Sequence, residues 1–324
     1  MMQSSSLKAD YKGRERGRAY APGHITGFFT IHMDESPLLS GSTGAGLCLE
    51  EGVTTEVSVE PSKVQELVVM LNGSTIESAP TCKSVFRAMV HGVDPVKITA
   101  RQTSLLPANF GYGISGAAAL SLGFAINEAM GLGLSKEKVG QIAHHAEVEN
   151  LTGLGDVSAQ LVGGTEVRLK PGAPGIGEVK NLDFGDGFIV ISSPVASFPT
   201  KRMITEERFV KRINSCGEVV MGSFLESPKM ENFMRLSRKF WENVGIMGED
   251  VVKAIQVFES AGIPSPSAKK GLVFGAVYPE DVPKIISKIM GKRESSPEGF
   301  STVNYDLVHG LKIIISRVSK RGAC

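Results

Sequence analysis

The segment 107–117, PANFGYGISGA, combines small residues with one hydroxyl in a pattern suited to holding a phosphate group. Gly111, Gly113 and Gly116 allow the backbone to approach a ligand closely. An apolar stretch follows, so the segment is expected to lead into the N-terminus of a buried helix, where unpaired N–H groups favour anions. Ser115 adds a hydroxyl suited to a phosphate oxygen or to Mg²⁺. A glycine-rich turn that only packs a helix against a sheet explains the same residues equally well.

The same residues also match the dinucleotide-binding pattern GxGxxG, from Gly111 to Gly116. That motif requires a strand after its helix and an acidic residue about 20 residues downstream. Glu128 comes too early and lies within the predicted helix, and a second helix follows it. The sequence also lacks the GK[ST] ending of a P-loop. Both of these nucleotide-binding folds are therefore disfavoured.

Two carboxylates flank a second glycine-rich stretch, AEVENLTGLGD. Glu147 lies on a predicted helix, and Asp156 closes the loop, where backbone can approach a substrate. A carboxylate at such a position suits a general base or a group that orients a hydroxyl. The alternatives are a helix-capping role for Asp156 before the segment 157–161 and a solvated helix position for Glu147.

If the substrate is an acid, its carboxylate needs a fixed cation in the site, in addition to the glycine-rich loop and the catalytic carboxylate. Arg168 follows Asp156 by twelve residues on a predicted strand, and arginine binds carboxylates with two parallel hydrogen bonds. A surface position on an exposed strand is the alternative, and Lys201 and Arg202 are further candidates. His24, in the turn APGHITG, is predicted either to contact the substrate or the loop carboxylate, or to make a structural hydrogen bond.

Periodicity indicates the elements that must position these residues. Two short strands around a Pro-Gly turn are expected in the segment 18–32. Further strands are predicted at 46–49, 55–59, 66–71, 96–104, 166–170, 187–193, 272–277 and 310–318. Helices are predicted at 78–93, 115–130, 135–150, 205–225, 230–244, 249–261 and 280–290. Strands that alternate with helices after residue 185 indicate a ferredoxin-like α+β half.

Composition narrows the class of protein. The 324 residues suffice for one large domain or two packed ones, and 35 Lys plus Arg balance 34 Asp plus Glu, so nucleic acid is not expected as a partner. No apolar run of about 18 residues predicts a membrane span, and the first twenty residues do not resemble a secretory signal. Four widely spaced cysteines predict reduced thiols in a cytoplasmic protein.

As a set, these motifs resemble those of the GHMP kinases. Residues 107–117 are similar to the superfamily's phosphate loop PxxxGLGSSAA: Pro107, Gly111, Gly113, Ser115 and Ala117 align, with Ile114 and Gly116 between them. The turn APGHITG is similar to the N-terminal motif APGK, with His24 where many members carry lysine. A third glycine motif is reduced to the segment 268–272, AKKGL.

Together, APGHITGFF, GYGISGA, TGLGDV and RLKPGAPGIGE more closely resemble the archaeal pantoate kinases. The resemblance implies ATP as phosphoryl donor, Mg²⁺ held by Ser115 and Glu147, and Asp156 as catalytic base. It implies pantoate as substrate, with His24, Thr26, Arg168, Lys201 and Arg202 as candidate contacts. Homoserine or mevalonate is the alternative substrate, and a non-catalytic nucleotide sensor is the alternative function.

The resemblance also implies an α+β fold with two domains. The expected N-terminal domain, residues 18–184, is similar to the second domain of ribosomal protein S5 and binds ATP. The expected C-terminal domain, residues 185–324, is ferredoxin-like. Residues 1–17 are predicted to be a flexible arm, and a homodimer is plausible only on general grounds.

Overall fold

Two sheets organise the part of the chain that the computed structural model describes, residues 15–182, 184, 187–290, 304–308 and 311–324. One sheet belongs to the N-terminal half and the other to the C-terminal half, and helices cover both. This mixed arrangement confirms the predicted α+β fold class.

The N-terminal sheet has the strand order β4-β3-β5-β2-β6-β7, and β1 pairs with β2. Its strands are β1 (Arg16–His32), β2 (Gly41–Pro61), β3 (Glu66–Leu71), β4 (Ser74–Thr75), β5 (Val96–Thr103), β6 (Thr165–Lys170) and β7 (Glu178–Leu182). Its helices are α1 (Pro80–Met89), α2 (Ile114–Met130), α3 (Lys136–Glu149) and α4 (Asp156–Val162).

Helix α2 lies against β1 and β2 at the centre of this half. Its side chains are apolar nearly all round, as the sequence predicts for a buried helix. The few polar groups in this interface are paired: the hydroxyls of Thr55 and Ser121 lie 2.6 Å apart, and Gln102 donates to the carbonyl of Ala118 at 2.9 Å. The start of α2 is therefore held firmly against the sheet.

The C-terminal sheet has the strand order β11-β12-β8-β10-β9. Its strands are β8 (Ile189–Pro194), β9 (Ser267–Lys269), β10 (Leu272–Val277), β11 (Asn304–Val308) and β12 (Leu311–Arg317). The helices are α5 (Thr200–Thr205), α6 (Glu207–Glu226), α7 (Met230–Val244), α8 (Glu249–Ala261) and α9 (Val282–Met290), with a 3₁₀ turn at Pro279–Asp281. Helices α6 and α7 pack on β1, where Phe28 meets Phe224 and Phe29 meets Phe240.

The segment 18–32 does not form the predicted pair of strands around a turn. It is part of one long strand, β1, in which Pro22 and Gly23 form a register irregularity instead of a reversal. An irregularity in the ladder accommodates proline because its missing N–H is not needed there. The partner β2 is likewise one strand where two were expected, and β1 already begins at Arg16, within the predicted arm.

Several expectations concern residues outside the described part of the chain. These are residues 1–14 of the predicted arm, residues 183, 185 and 186 around the predicted domain boundary, and residue 310 at the start of the last predicted strand. The four cysteines are all described and are free thiols. Among the described helices, none combines the length and the apolar character needed to cross a bilayer.

Candidate active site

The glycine-rich loop between β5 and α2 begins at the half-buried Pro107 and ends on a left-handed glycine. Gly113 has a φ of +65° and precedes the first helical residue, Ile114. Two contacts fix this loop: the backbone N–H of His24 donates to the carbonyl of Tyr112 at 2.8 Å, and the Gln160 side chain donates to the carbonyl of Gly113 at 2.8 Å. The first turn of α2 thus presents its free N–H groups at a defined position.

One carboxylate oxygen and one amide oxygen lie next to this first turn. A Cβ atom on Gly116 would lie 2.8 Å from Oε1 of Gln160 and 3.1 Å from Oε2 of Glu147. Both oxygens are buried, and neither has a hydrogen-bond partner among the described residues. A buried acceptor without a hydrogen-bond donor destabilises the fold. A cation bound beside Ser115 would give these two oxygens the partner that the protein does not supply.

Glu147 is buried rather than solvated, so the alternative of a surface helix position is wrong. Its Oε1 accepts a hydrogen bond from the Thr152 hydroxyl at 3.1 Å. Burial raises the pKa of Glu147 to about 7, with the nearby charge of Asp156 as a second cause. A bound cation would offset both effects.

Asp156 is the first residue of α4, and Gly155 occupies the capping position. No side chain caps this helix, so the alternative role of Asp156 as an N-cap is wrong. Its Oδ1 lies 2.6 Å from Nδ1 of His24 and 3.4 Å from Nζ of Lys269. Burial by itself raises the pKa of Asp156, but Lys269 and His24 outweigh it and hold the pKa below the ordinary value. Asp156 is therefore an anion at neutral pH.

His24 is completely buried between two carboxylates. Its Nδ1 faces Asp156, and its Nε2 lies 3.0 Å from Oε1 of Glu166. Of the roles considered for His24, the structure places it on the loop carboxylate. Lys269 closes this group from the C-terminal half, because its Nζ also donates to the carbonyl of His24 at 3.2 Å.

Arg168 has an exposure of only 2%, so the alternative of a surface position on an exposed strand is wrong. Its Nη1 donates to Glu166, and its Nε donates to the hydroxyl of Ser42 at 3.2 Å. These contacts leave part of the guanidinium fork for another acceptor. Arginine 168 thus reaches the cavity from β6 as a fixed cation.

Asp156 and Arg168 line one cavity. Its polar wall also contains Lys269 and Lys270, and aromatic and aliphatic side chains form the rest. The full lining is Thr26, Phe29, Ser42, Gly153, Leu154, Gly155, Asp156, Arg168, Thr200, Met203, Ile204, Trp241, Lys269 and Lys270. A carboxylate, a guanidinium and apolar side chains therefore line one cavity.

Lys201 and Arg202 do not line this cavity. Both are exposed on α5, and Arg202 pairs with Glu206 at 2.7 Å. A larger cavity of about 650 Å³ lies elsewhere, beside Asn181 and Arg317, and none of the predicted site residues lines it. The smaller cavity, which Thr26, Asp156 and Arg168 line, is therefore the candidate active site.

Three charged residues of the site were not predicted. Glu166 lies two positions before Arg168, and the period of two along a strand would have indicated that both side chains share a face. Lys269 and Lys270 come from the reduced motif AKKGL, where two adjacent lysines were the available signal. Burial lowers the pKa of Lys270 to about 8, and the neighbouring charge of Lys269 contributes.

A family model described as the N-terminal domain of GHMP kinases matches residues 80–164. That range contains the glycine-rich loop, Ser115, Glu147 and Asp156. A solved structure described as a phosphotransferase related to the CoA biosynthesis pathway superposes with a TM-score of 0.82 at 29% identity. The match covers 95% of this chain and 98% of that chain.

Two curated relatives are similar over most of their length. A pantoate kinase of Thermococcus kodakarensis is 34% identical over 274 residues, which covers 82% of this chain and 89% of the relative. A pantoate kinase of Methanocaldococcus jannaschii is 35% identical over 234 residues, covering 72% of this chain and 82% of the relative. Identity at this level and over this length, together with the family model, establishes that the chain belongs to the pantoate kinase family of GHMP kinases.

Proposed function

We propose that the protein transfers the γ-phosphoryl group of ATP to the primary hydroxyl of pantoate, giving ADP and 4-phosphopantoate. The observation that carries this proposal is that Asp156 and Arg168 line one cavity together with apolar side chains. Pantoate has a matching set of groups: a primary hydroxyl, a dimethyl carbon and a carboxylate. The reaction is proposed to occur in the cytoplasm, on the route to coenzyme A.

The nucleotide side of the reaction is assigned to the first turn of α2. The N–H groups of Ile114, Ser115 and Gly116 at the start of this turn suit the phosphates of ATP. Ala117 closes the turn, because its N–H donates to the carbonyl of Gly113 at 3.1 Å. Ser115 and Glu147 would hold Mg²⁺, a role that the orphaned Oε2 of Glu147 supports. The metal would supply positive charge to the phosphate oxygens during transfer.

Asp156 is the proposed base. Both of its contacts with described residues go to Oδ1, which leaves Oδ2 for the substrate hydroxyl. Because Lys269 and His24 depress its pKa, Asp156 orients the hydroxyl as an anion and takes the proton as the phosphoryl group is transferred. A hydroxyl held in this way is positioned for attack without a change in the side chains around it.

Arg168 is the proposed carboxylate site. Serine 42 and Glu166 fix its guanidinium, so little conformational freedom is lost when the substrate binds. Phe29 and Trp241 provide apolar surface for the dimethyl carbon, and Thr26 lines the same cavity.

The test is a panel of alcohols assayed for ADP release with Mg·ATP. We expect pantoate to give the highest kcat/KM and homoserine and mevalonate to be much poorer substrates. Faster turnover of homoserine or mevalonate would contradict the substrate assignment while leaving kinase activity intact. Nucleotide binding without ADP release from any alcohol would support the alternative of a non-catalytic sensor.

A further inference from the structure

We propose that Glu166 is a positioning residue that joins the proposed base to the proposed carboxylate site, because one buried carboxylate holds both His24 and Arg168. This inference rests on the proposed function in one respect: it takes Asp156 as the base and Arg168 as the carboxylate site. Glu166 itself does not line the cavity and acts through its two partners.

The contacts of Glu166 are concentrated on one atom. Its Oε1 lies 3.0 Å from Nε2 of His24 and also accepts from Nη1 of Arg168. Glu166, His24 and Arg168 are each at least 98% buried, so water does not substitute for these contacts. A buried charge whose partner is removed costs far more than an exposed one, so the three groups depend on one another.

Both ring nitrogens of His24 are engaged. Nδ1 of His24 faces Asp156 at 2.6 Å, and Nε2 faces Glu166 at 3.0 Å. The ring is therefore held between the proposed base on one side and Glu166 on the other. A change at Glu166 should reach Asp156 through this ring.

Glu166 holds His24 from the side opposite the proposed base. The other charged groups near Asp156 are Lys269, which lies 3.4 Å from its Oδ1, and Lys270 and Glu147, whose charges also act on it. His24 in turn contacts Oδ1 of Asp156 and leaves Oδ2 for the substrate. Glu166 thus fixes the positions of His24 and Arg168 together.

The direct test is the environment of His24 in the Glu166→Gln variant of the full chain. A glutamine amide is close in shape to glutamate but carries no charge. Nitrogen-15 NMR of labelled histidines reports on the two ring nitrogens, and the His24 signals are assigned by their loss in His24→Asn. We expect the Nε2 signal of His24 to change in Glu166→Gln and to keep its parent position in Glu51→Gln, a variant of another buried carboxylate. Unchanged His24 signals in Glu166→Gln would overturn the proposal.

Kinetics provide the second arm. Glu166→Gln should lower kcat by at least about tenfold, part of the about 10²–10⁴ that a positioned base contributes. It should also raise the KM for pantoate while the KM for ATP stays within twofold of the parent value. Glu51→Gln is the matched control, since Glu51 is a buried carboxylate on β2 that does not line the cavity. Equal effects of the two variants would reduce Glu166 to a structural role and contradict the proposal.

A double-mutant cycle guards against a loss that comes only from misfolding. If Glu166 acts on the base through His24, then adding Glu166→Gln to His24→Asn should cause little further loss in kcat. Fully additive losses would overturn the link. The NMR arm is independent of the substrate: a wrong pantoate assignment would leave the His24 signals as predicted.

Discussion

The phosphate cradle and the substrate cavity adjoin each other but are built by different means. The cradle, residues 107–117, is one continuous segment whose ligands are mainly backbone N–H groups at the start of α2. The cavity collects ionisable side chains from distant parts of the chain, such as Asp156 on α4, Arg168 on β6 and Lys269 on β9. The cradle suits a group common to all nucleotides, whereas the cavity suits one particular acid.

This difference indicates where single substitutions should matter most. Loss of one side chain leaves most of the cradle intact, because backbone groups share the contact with phosphate. Each charged group in the cavity has a specific partner, and removing one leaves another buried charge unpaired. Substitutions in the cavity should therefore have larger and more selective effects on activity than substitutions in the cradle.

The largest effect is expected for Asp156→Asn. The amide keeps the shape of the side chain but cannot take the hydroxyl proton, so kcat should fall by about 10²–10⁴. ATP binding should be preserved, because the cradle does not use this carboxylate as a ligand. Steady-state kinetics and a nucleotide-binding titration check both parts. Turnover within threefold of the parent would remove Asp156 from the mechanism.

The second largest effect is expected for removal of the Arg168 side chain. Arg168→Ala should raise the KM for pantoate by about 10²-fold, since the substrate carboxylate would be desolvated without a partner. The fall in kcat should be smaller, because the contact exists in the ground state as well. Trp241, the only tryptophan of the sequence, lines the same cavity and gives a fluorescence signal for pantoate binding. Lys170→Ala, an exposed cation on the same strand, is the control; a similar loss there would argue against a specific carboxylate site.

Smaller effects are expected in the cradle. Ser115→Ala and Glu147→Gln should each raise the Mg²⁺ concentration for half-maximal rate by about tenfold or more, since each removes an oxygen ligand. Glu149→Gln, an exposed carboxylate on the same helix, should leave the Mg²⁺ dependence unchanged. Unchanged metal dependence in both test variants would disprove the metal assignment.

The smallest effect concerns stability. The pKa of Lys270 is about 8 in the folded protein against an ordinary value of 10.5, so between these pH values the unfolded chain binds more protons. The free energy of unfolding should therefore rise with pH in this window, by an amount on the order of 2 kcal/mol. Denaturant unfolding of the parent and of Lys270→Met at pH 7.5 and 10 checks this. Equal changes in the two proteins would show that Lys270 is not destabilised by burial.

The sequence predicts the cradle better than the cavity for a physical reason. Local pattern determines α2 and α3: the buried helix was predicted at 115–130 and observed at Ile114–Met130. Ser115, Glu147 and Asp156 belong to short motifs in which neighbouring glycines reveal close backbone approach. These features depend on residues that are near one another in the chain.

Groups that meet only through tertiary contacts were harder to predict. The ion pair between Lys269 and Asp156 joins residues 113 positions apart, and no local pattern marks it. The basic character of Lys201 and Arg202 made them plausible carboxylate ligands, yet α5 presents both to solvent. The Pro-Gly pair in β1 predicts a turn by itself, and only pairing with β2 keeps the strand continuous.

The central claim is that Arg168 recognises the carboxylate of pantoate while Asp156 acts on its primary hydroxyl. The most direct measurement compares kcat/KM for pantoate and for its neutral primary amide, in the parent and in Arg168→Ala. We predict that the parent prefers pantoate by about 10²-fold and that the preference largely disappears in the variant, because only the acid loses a charged partner. A parent that uses both compounds equally, or an Arg168→Ala variant that retains the full preference, would contradict the account.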